Sequence, residues 1–85
     1  MNAYTAEVHI TPRAGLLDPE GKAVQSALRS LEFDEVEEVR VGRLVRVRLL
    51  ADSEAAARDS AEAMCRKLLA NPVTEDFEIV LVKGR

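Results

Sequence analysis

The stretch Leu17-Asp18-Pro19-Glu20-Gly21-Lys22-Ala23-Val24, at residues 17–24, decides the fold. Asp18 can cap a helix through its carboxylate, and Pro19 suits the first helical position, where no backbone N–H is needed. Gly21 is unusual there, because glycine costs up to about 1 kcal/mol against alanine inside a helix. It is either tolerated near the helix end or allows another backbone to approach closely. Apolar residues then recur at helical spacing and predict one stripe, made of Ala23, Val24, Ala27, Leu28 and Leu31.

Strand patterns flank this helix. Residues 3–11 alternate between apolar and polar side chains, which is typical of a half-buried strand, and Pro12 ends the pattern. Downstream, valines at 36, 39 and 41 lead into a turn candidate at Gly42-Arg43, and residues 45–50 alternate again, so we expect a hairpin. A last strand is expected at about 75–82.

A second helix is expected between the hairpin and the last strand. Asp52 or Ser53 caps it, and it runs to about Ala70, where Asn71 and Pro72 end it. Its predicted apolar face comprises Ala57, Ala61, Met64, Cys65 and Leu68.

The resulting order is βαββαβ, and its two halves are weakly alike at an offset of about 37 residues. We therefore expect an α+β domain spanning residues 1–85. It would be ferredoxin-like or related, with a four-stranded antiparallel sheet and two helices on one face. The open face of the sheet would carry Arg46 and Arg48, with Leu44 and Leu50.

Composition excludes several classes of function. The 85 residues are 47% apolar and contain three aromatic side chains, and the net charge is −3, which disfavours a nucleic-acid partner. The single cysteine cannot form an intrachain disulfide, and we find neither a signal peptide nor an apolar run near 20 residues. A cytoplasmic protein without membrane association is the expectation.

Charge is unevenly spread along the chain. Residues 1–42 hold eight acidic and four basic side chains, with the acidic excess mainly in residues 32–38. A basic cluster follows at Arg43, Arg46 and Arg48. Both clusters are consistent with a solvated loop and a solvated strand face. The alternative is electrostatic complementarity between subunits, which would guide their encounter.

The usual signatures of a catalytic centre are missing from the sequence. His9 is the only histidine, so it cannot build a metal site alone, and Cys65 lies on an apolar helix face that makes a thiol inert. A free-standing enzyme would have to rest on these two residues. The helix start near Lys22 could hold an anion, but the carboxylate of Asp18 would repel it, so we interpret it as a helix cap. We expect no catalytic, cofactor-binding or metal-binding residues.

Two stretches remain that folding alone does not explain: residues 17–24, and Met64-Cys65-Arg66-Lys67-Leu68-Leu69-Ala70-Asn71-Pro72-Val73. Together with Val39-Arg40-Val41-Gly42-Arg43, they resemble the PurS family over nearly the whole chain. PurS is the small subunit of phosphoribosylformylglycinamidine (FGAM) synthase. Two departures are visible: Glu32 stands where the family usually has glycine, which leaves the geometry of the helix end open, and Arg43 stands where it usually has lysine.

The resemblance implies a function for a complex. A synthetase subunit (PurL) would use ATP and magnesium to activate formylglycinamide ribonucleotide, and a glutaminase subunit (PurQ) would release ammonia in de novo purine (IMP) synthesis. PurS-like chains form dimers or higher oligomers, bridge these two subunits and support ammonia transfer. We expect this chain to be such a non-catalytic subunit of an ATP-dependent amidoligase.

Motif membership at element ends predicts five interface residues: Asp18, Lys22, Arg43, Asn71 and Pro72. The alternative function is a small ligand-binding regulatory module of the ferredoxin-like type, which rests on analogy of fold.

Overall fold

A computed structural model describes residues 1–15 and 18–83. Its elements, in order, are β1 (Asn2–Pro12), α1 (Pro19–Ser30), β2 (Arg43–Ala51), α2 (Glu54–Met64), a π-helical segment (Cys65–Leu69) and β3 (Glu75–Lys83). The expected order is thus found, except that one strand is missing.

The three strands form one antiparallel sheet in the order β2-β1-β3. The register places Val8 opposite Val45 on one side and Ile79 on the other. The buried face of β1 consists of Tyr4, Ala6, Val8 and Ile10, as the alternation predicts. The core therefore lies between the central strand and α2.

The prediction of a fourth strand and a hairpin is wrong. Residues 36–42 form no strand, because their polar backbone groups are bonded elsewhere: the Val36 carbonyl to Arg29 and the Val41 amide to Asp18. The valines at 36, 39 and 41 also do not alternate strictly, so no continuous apolar face favours a strand.

Helix α2 begins after Ser53, one of its two predicted caps, whose hydroxyl accepts a hydrogen bond from the Ala56 amide at 3.1 Å. It packs against all three strands. Its last turn widens into the π-helical segment, which closes with a bond from the Ala70 amide to the Cys65 carbonyl. This wider turn moves Leu68 off the buried stripe, so that Leu68 is 83% exposed, contrary to prediction.

Helix α1 also begins at its predicted cap, Asp18, with Pro19 as its first residue. However, α1 makes at most marginal contact with any strand, so the expectation that two helices cover one face of the sheet is wrong. Residues 18–42 instead form a projecting lobe, the arm, in which α1 leads away and residues 31–42 return alongside it. The radius of gyration is 16.3 Å, against about 12 Å for a compact chain of this length.

The face of the sheet opposite α2 carries no helix. It displays Leu44, Arg46, Arg48 and Leu50 of β2, as predicted, and all four are exposed. Among the described residues, no helix is both long and apolar enough to cross a membrane.

Candidate subunit interface

The turn between the π-helical segment and β3 is tightly bonded although its residues are exposed. The Asn71 side-chain oxygen accepts a hydrogen bond from the Val73 amide at 2.9 Å, and its backbone carbonyl accepts one from the Glu75 amide at 2.8 Å. The Asn71 amide in turn donates to the Glu75 carboxylate at 2.8 Å. Asparagine is suited to such turns because its side chain can hydrogen-bond its own backbone two residues on.

Two arginines hold this turn against the sheet: Arg13, directly after β1, and Arg43, the first residue of β2. Arg13 Nη2 donates to the Pro72 carbonyl at 2.7 Å, and Arg43 Nη2 donates to the Leu69 carbonyl at 3.0 Å. Arg43 also pairs with Glu75 at 2.9 Å. We call Arg13, Arg43, Asn71, Pro72 and Glu75 the turn cluster. It presents an exposed Pro72-Val73 edge on a fixed backbone.

The base of the arm is a second bonded unit. The two carboxylate oxygens of Asp18 accept hydrogen bonds from the Gly21 amide at 3.0 Å and the Val41 amide at 3.1 Å. Gly21 is buried, and a Cβ atom added there would collide with the Val39 carbonyl oxygen. Glycine is therefore needed for close backbone approach, one of the two alternatives left open by the sequence. Lys22 lies beside this base with an exposed side chain.

The five predicted interface residues thus fall into two groups. Arg43, Asn71 and Pro72 come together in the turn cluster, whereas Asp18 and Lys22 lie at the arm base. The structure places these residues but leaves their role at an interface a prediction.

Arg13 and Glu75 of the turn cluster were not predicted from the sequence. Arg13 lines a cavity of about 480 Å³ with Pro72 and Glu75, and also a cleft of about 70 Å³ with Asp18 and Lys22, so it stands between the two groups. Their positions could have indicated that they lie close together, because Arg13 follows the end of β1 and Glu75 begins β3, the strand that pairs with β1 there.

Charged side chains around the larger cavity are paired. Arg66 bonds Glu62 at 2.9 Å and lies over the Phe77 ring, and Arg13 lies 3.3 Å from Asp76. In the described part of the chain, no three His, Cys, Asp or Glu side chains form a group that could hold a metal ion.

His9 and Cys65 lie on opposite sides of the sheet. His9 is exposed on the open face, while Cys65, the first residue of the π-helical segment, is fully buried in the core. Burial, and to a lesser extent the Glu62 carboxylate, raise the pKa of the Cys65 thiol, although Arg66 opposes them. A neutral thiol separated from the histidine by the sheet cannot serve as a histidine-activated nucleophile.

Residues 5–83 match the model of the PurS family, described as phosphoribosylformylglycinamidine (FGAM) synthase. The chain belongs to the PurS family. Because the match covers both helices, β2, β3 and β1 from Thr5 onward, PurS membership applies to nearly the whole described fold.

Relatives and solved structures agree with this assignment. The PurS subunit of Archaeoglobus fulgidus FGAM synthase is 46% identical, covering 88% of this chain and 94% of that one. The crystal structure of Methanocaldococcus jannaschii PurS, one of the subunits of formylglycinamide ribonucleotide amidotransferase, has a TM-score of 0.83 at 39% identity. It covers 96% of this chain and 99% of that one. A chain of PurLQS from Thermotoga maritima shares the fold, with a TM-score of 0.88 at 24% identity, 96% coverage of this chain and 100% of that one.

Proposed function

We propose that this chain is the non-catalytic small subunit that assembles FGAM synthase. It joins the glutaminase subunit (PurQ) to the synthetase subunit (PurL) and supports ammonia transfer between them. The observation that carries the proposal is the PurS family match over residues 5–83. The chemistry belongs to the partners, with ATP and magnesium on the synthetase, and the complex is placed in the cytoplasm, where purines are made.

We assign the contacts with these partners to the turn cluster and the arm base. Both groups combine an exposed surface with a backbone held by several hydrogen bonds, so little ordering entropy is lost on binding. Arg43 and Asn71 are engaged within the chain, and their role is to position the exposed Pro72. Lys22 makes no ion pair within residues 1–15 and 18–83, and is available to a partner carboxylate.

A reconstitution experiment tests this function. The chain is mixed with the glutaminase and synthetase subunits of its own organism in the presence of glutamine, ADP and magnesium, and the mixture is resolved by size exclusion. A ternary complex with glutamine-dependent FGAM synthesis is expected. Failure to form the complex, or full activity without this chain, would overturn the proposal.

Charge reversal tests the contacts. Lys22→Glu should weaken the ternary complex while the isolated chain keeps its circular dichroism spectrum. Arg58→Glu is the control, because it makes a charge change of the same sign and size at an exposed position of α2. An equal effect of both variants would indicate a response to net charge and would remove Lys22 from the interface.

We further propose that the chain is a homo-oligomer, a dimer or a tetramer. Between residues 18 and 42 only Gly21 is buried, so the arm has no core of its own. Light scattering of the isolated chain should give a mass of at least two copies at micromolar concentration, and a monomer would contradict the proposal.

A further inference from the structure

A narrow cleft at the arm base is lined by three basic side chains that come from three different segments. Arg13 directly follows β1, Lys22 lies near the start of α1, and Arg40 lies in residues 31–42, the return segment. The cleft has a volume of about 70 Å³. Because a water molecule occupies about 30 Å³ in the liquid, the cleft has room for a compact ion but not for a nucleoside.

The basic side chains of this cleft are incompletely neutralised by their own chain. Lys22 and Arg40 are exposed, and in the described part of the chain neither side chain takes part in a hydrogen bond or an ion pair. Arg13 bonds the Pro72 carbonyl through Nη2 and lies 3.3 Å from Asp76 through Nε. These contacts leave the two N–H donors of its Nη1, since a guanidinium group carries five in all.

Two carboxylates also line the cleft, and they oppose an anion to different degrees. Both oxygens of Asp18 accept hydrogen bonds from backbone amides, those of Gly21 and Val41, so donors already compensate its charge. Glu38 is exposed and makes no ion pair in the described part of the chain. Three positive and two negative side chains leave the cleft with a charge of +1, although the whole chain carries −3. Because Asp18 caps α1, this positive potential comes from side chains and not from the helix dipole.

The backbone that carries the three basic residues is held in place. The Arg13 amide donates to the Thr74 carbonyl at 2.9 Å, and the Lys22 amide donates to the Asp18 carbonyl at 2.9 Å. Arg40 immediately precedes the amide that bonds the Asp18 carboxylate. Cations held together on a fixed backbone repel one another unless an anion lies between them.

The larger cavity beside the turn cluster does not share this excess of positive charge. Its two basic side chains are Arg13 and Arg66, and three carboxylates line it with them. Arg66 bonds Glu62 at 2.9 Å, and Arg13 faces Asp76 there. An anion is therefore better accommodated in the smaller cleft.

We propose that the cleft binds one compact oxyanion, with Arg13, Lys22 and Arg40 as its ligands. Arginine and lysine both form charge-assisted hydrogen bonds to phosphate and carboxylate oxygens, so the shared chemistry is a group with at least two anionic oxygens. Such a group comes either from a phosphorylated small molecule or from a carboxylate on a partner subunit. The site exists in the isolated chain, so it is tested separately from the assembly role.

Titration of the isotope-labelled chain with inorganic phosphate, at an ionic strength held constant with sodium chloride, tests the site by NMR. Saturable shifts are expected at the amides of Lys22 and Arg40, in the millimolar range because the cleft is open to solvent. Lys22→Gln should weaken binding about three- to fivefold. Lys67→Gln, the same charge change on the π-helical segment, should not. Shifts that do not saturate, or equal weakening in both variants, would overturn the site.

Glu38→Gln tests the same cleft in the opposite direction. Removing this carboxylate should tighten phosphate binding about two- to threefold. Glu37→Gln removes a carboxylate from an exposed neighbouring position outside the lining and should change binding little. The positions substituted in these two titrations are exposed, so circular dichroism should show a folded chain in each variant. Equal tightening by both glutamate variants would indicate a response to net charge and would overturn the site.

Two further measurements identify the source of the oxyanion. If a partner carboxylate occupies the cleft, phosphate should dissociate the ternary complex more than chloride does at equal ionic strength, and Lys22→Gln should remove this difference. If a small molecule occupies it, glycerol phosphate should bind the isolated chain at least as tightly as inorganic phosphate, and the complex should be equally stable in both salts. Failure of both expectations would overturn the proposal. Absence of a ternary complex with the unmodified chain would overturn the assembly role, and the phosphate titration would still decide the site.

Discussion

Arg43 and Glu75 join the two edge strands of the sheet across the end of the central one. Each is the first residue of its strand, and their side chains meet at 2.9 Å on the face that carries α2. The same Glu75 oxygen accepts the Asn71 amide at 2.8 Å. This single carboxylate therefore fixes the turn before β3 to the start of β2.

Removing the Glu75 carboxylate should destabilise the chain by about 1–2 kcal/mol, since Glu75→Ala leaves both donors without their acceptor. The Arg43 and Glu75 side chains are 53% and 22% exposed. Solvent therefore screens their ion pair and limits the loss of stability to about this size. Urea unfolding measures the loss, and hydrogen exchange should accelerate at the Asn71 amide. Arg46→Ala, which breaks the exposed pair with Glu7, is the control and should cost under about 0.5 kcal/mol. Equal losses in the two variants would contradict the role assigned to Glu75.

Gly21→Ala should destabilise the chain, although the same change inside a helix normally stabilises it by about 1 kcal/mol. The reversal follows from packing, because the added methyl group collides with the Val39 carbonyl oxygen and the Asp18 carboxylate. A loss of about 1–3 kcal/mol is expected, read from thermal or urea unfolding. Ser26→Ala, at an exposed position of the same helix, should give a small gain. A gain at Gly21 as well would show that the arm base does not hold the geometry described.

The local parts of this fold could be read from the sequence. Asp18 and Ser53 both cap helices as predicted, because capping depends on a few neighbouring residues. The alternation in residues 3–11 and 75–82 likewise identifies β1 and β3. The direction of α1 could not be predicted, because its apolar stripe specifies burial but not whether the covering surface belongs to the same chain.

The strand wrongly predicted at residues 36–41 also depends on contacts with residues distant in the sequence. Strand pairing needs backbone groups that are not bonded elsewhere, and here the Arg29 and Asp18 side chains bond the Val36 carbonyl and the Val41 amide. At the candidate interface, Asn71 and Pro72 were predicted because they end a helix. Arg13 was missed because its bond to the Pro72 carbonyl joins residues 59 positions apart, a pairing that only the sheet register reveals.

Glu32→Gly should stabilise the chain by about 0.5–1 kcal/mol. Glu32 has a φ of 73°, in the left-handed region that disfavours residues other than glycine. The helix nevertheless ends in a Schellman arrangement, with the Phe33 amide bonded to the Leu28 carbonyl at 3.1 Å and the Glu32 amide to the Arg29 carbonyl at 3.0 Å. Glu32, which replaces the family's usual glycine, therefore leaves the hydrogen bonds of the helix end intact but adopts a strained backbone conformation.

Thermal unfolding of Glu32→Gly beside Glu35→Gly checks this assignment. Both variants remove one carboxylate from the return segment, so they change the charge equally. Glu35 does not have a positive φ, so glycine there should be neutral or destabilising through the greater entropy of the unfolded chain. Similar effects of the two substitutions would attribute the gain to charge rather than to backbone strain.

Stability should fall at alkaline pH through Cys65. Burial raises the pKa of this thiol in the folded chain, whereas the unfolded thiol ionises at about pH 8.5. Between those two pKa values the unfolded chain has lost a proton that the folded chain retains, so unfolding releases a proton. The free energy of unfolding therefore decreases as pH rises above about 8.5, by at most about 1.4 kcal/mol per pH unit, and is unaffected by this group at lower pH.

Cys65→Ala isolates this contribution from other groups that titrate in the same range. The variant should be less stable at pH 7 by about 1 kcal/mol, because a small cavity replaces a fully buried side chain. Urea unfolding of both proteins at several values from pH 7 to pH 10 should show a constant difference up to about pH 8.5. Above that value the difference should narrow, since only the cysteine-containing chain gains from ionising when unfolded. A difference that stayed constant to pH 10 would mean that the thiol ionises equally in both states and would contradict the raised pKa of Cys65 in the folded chain.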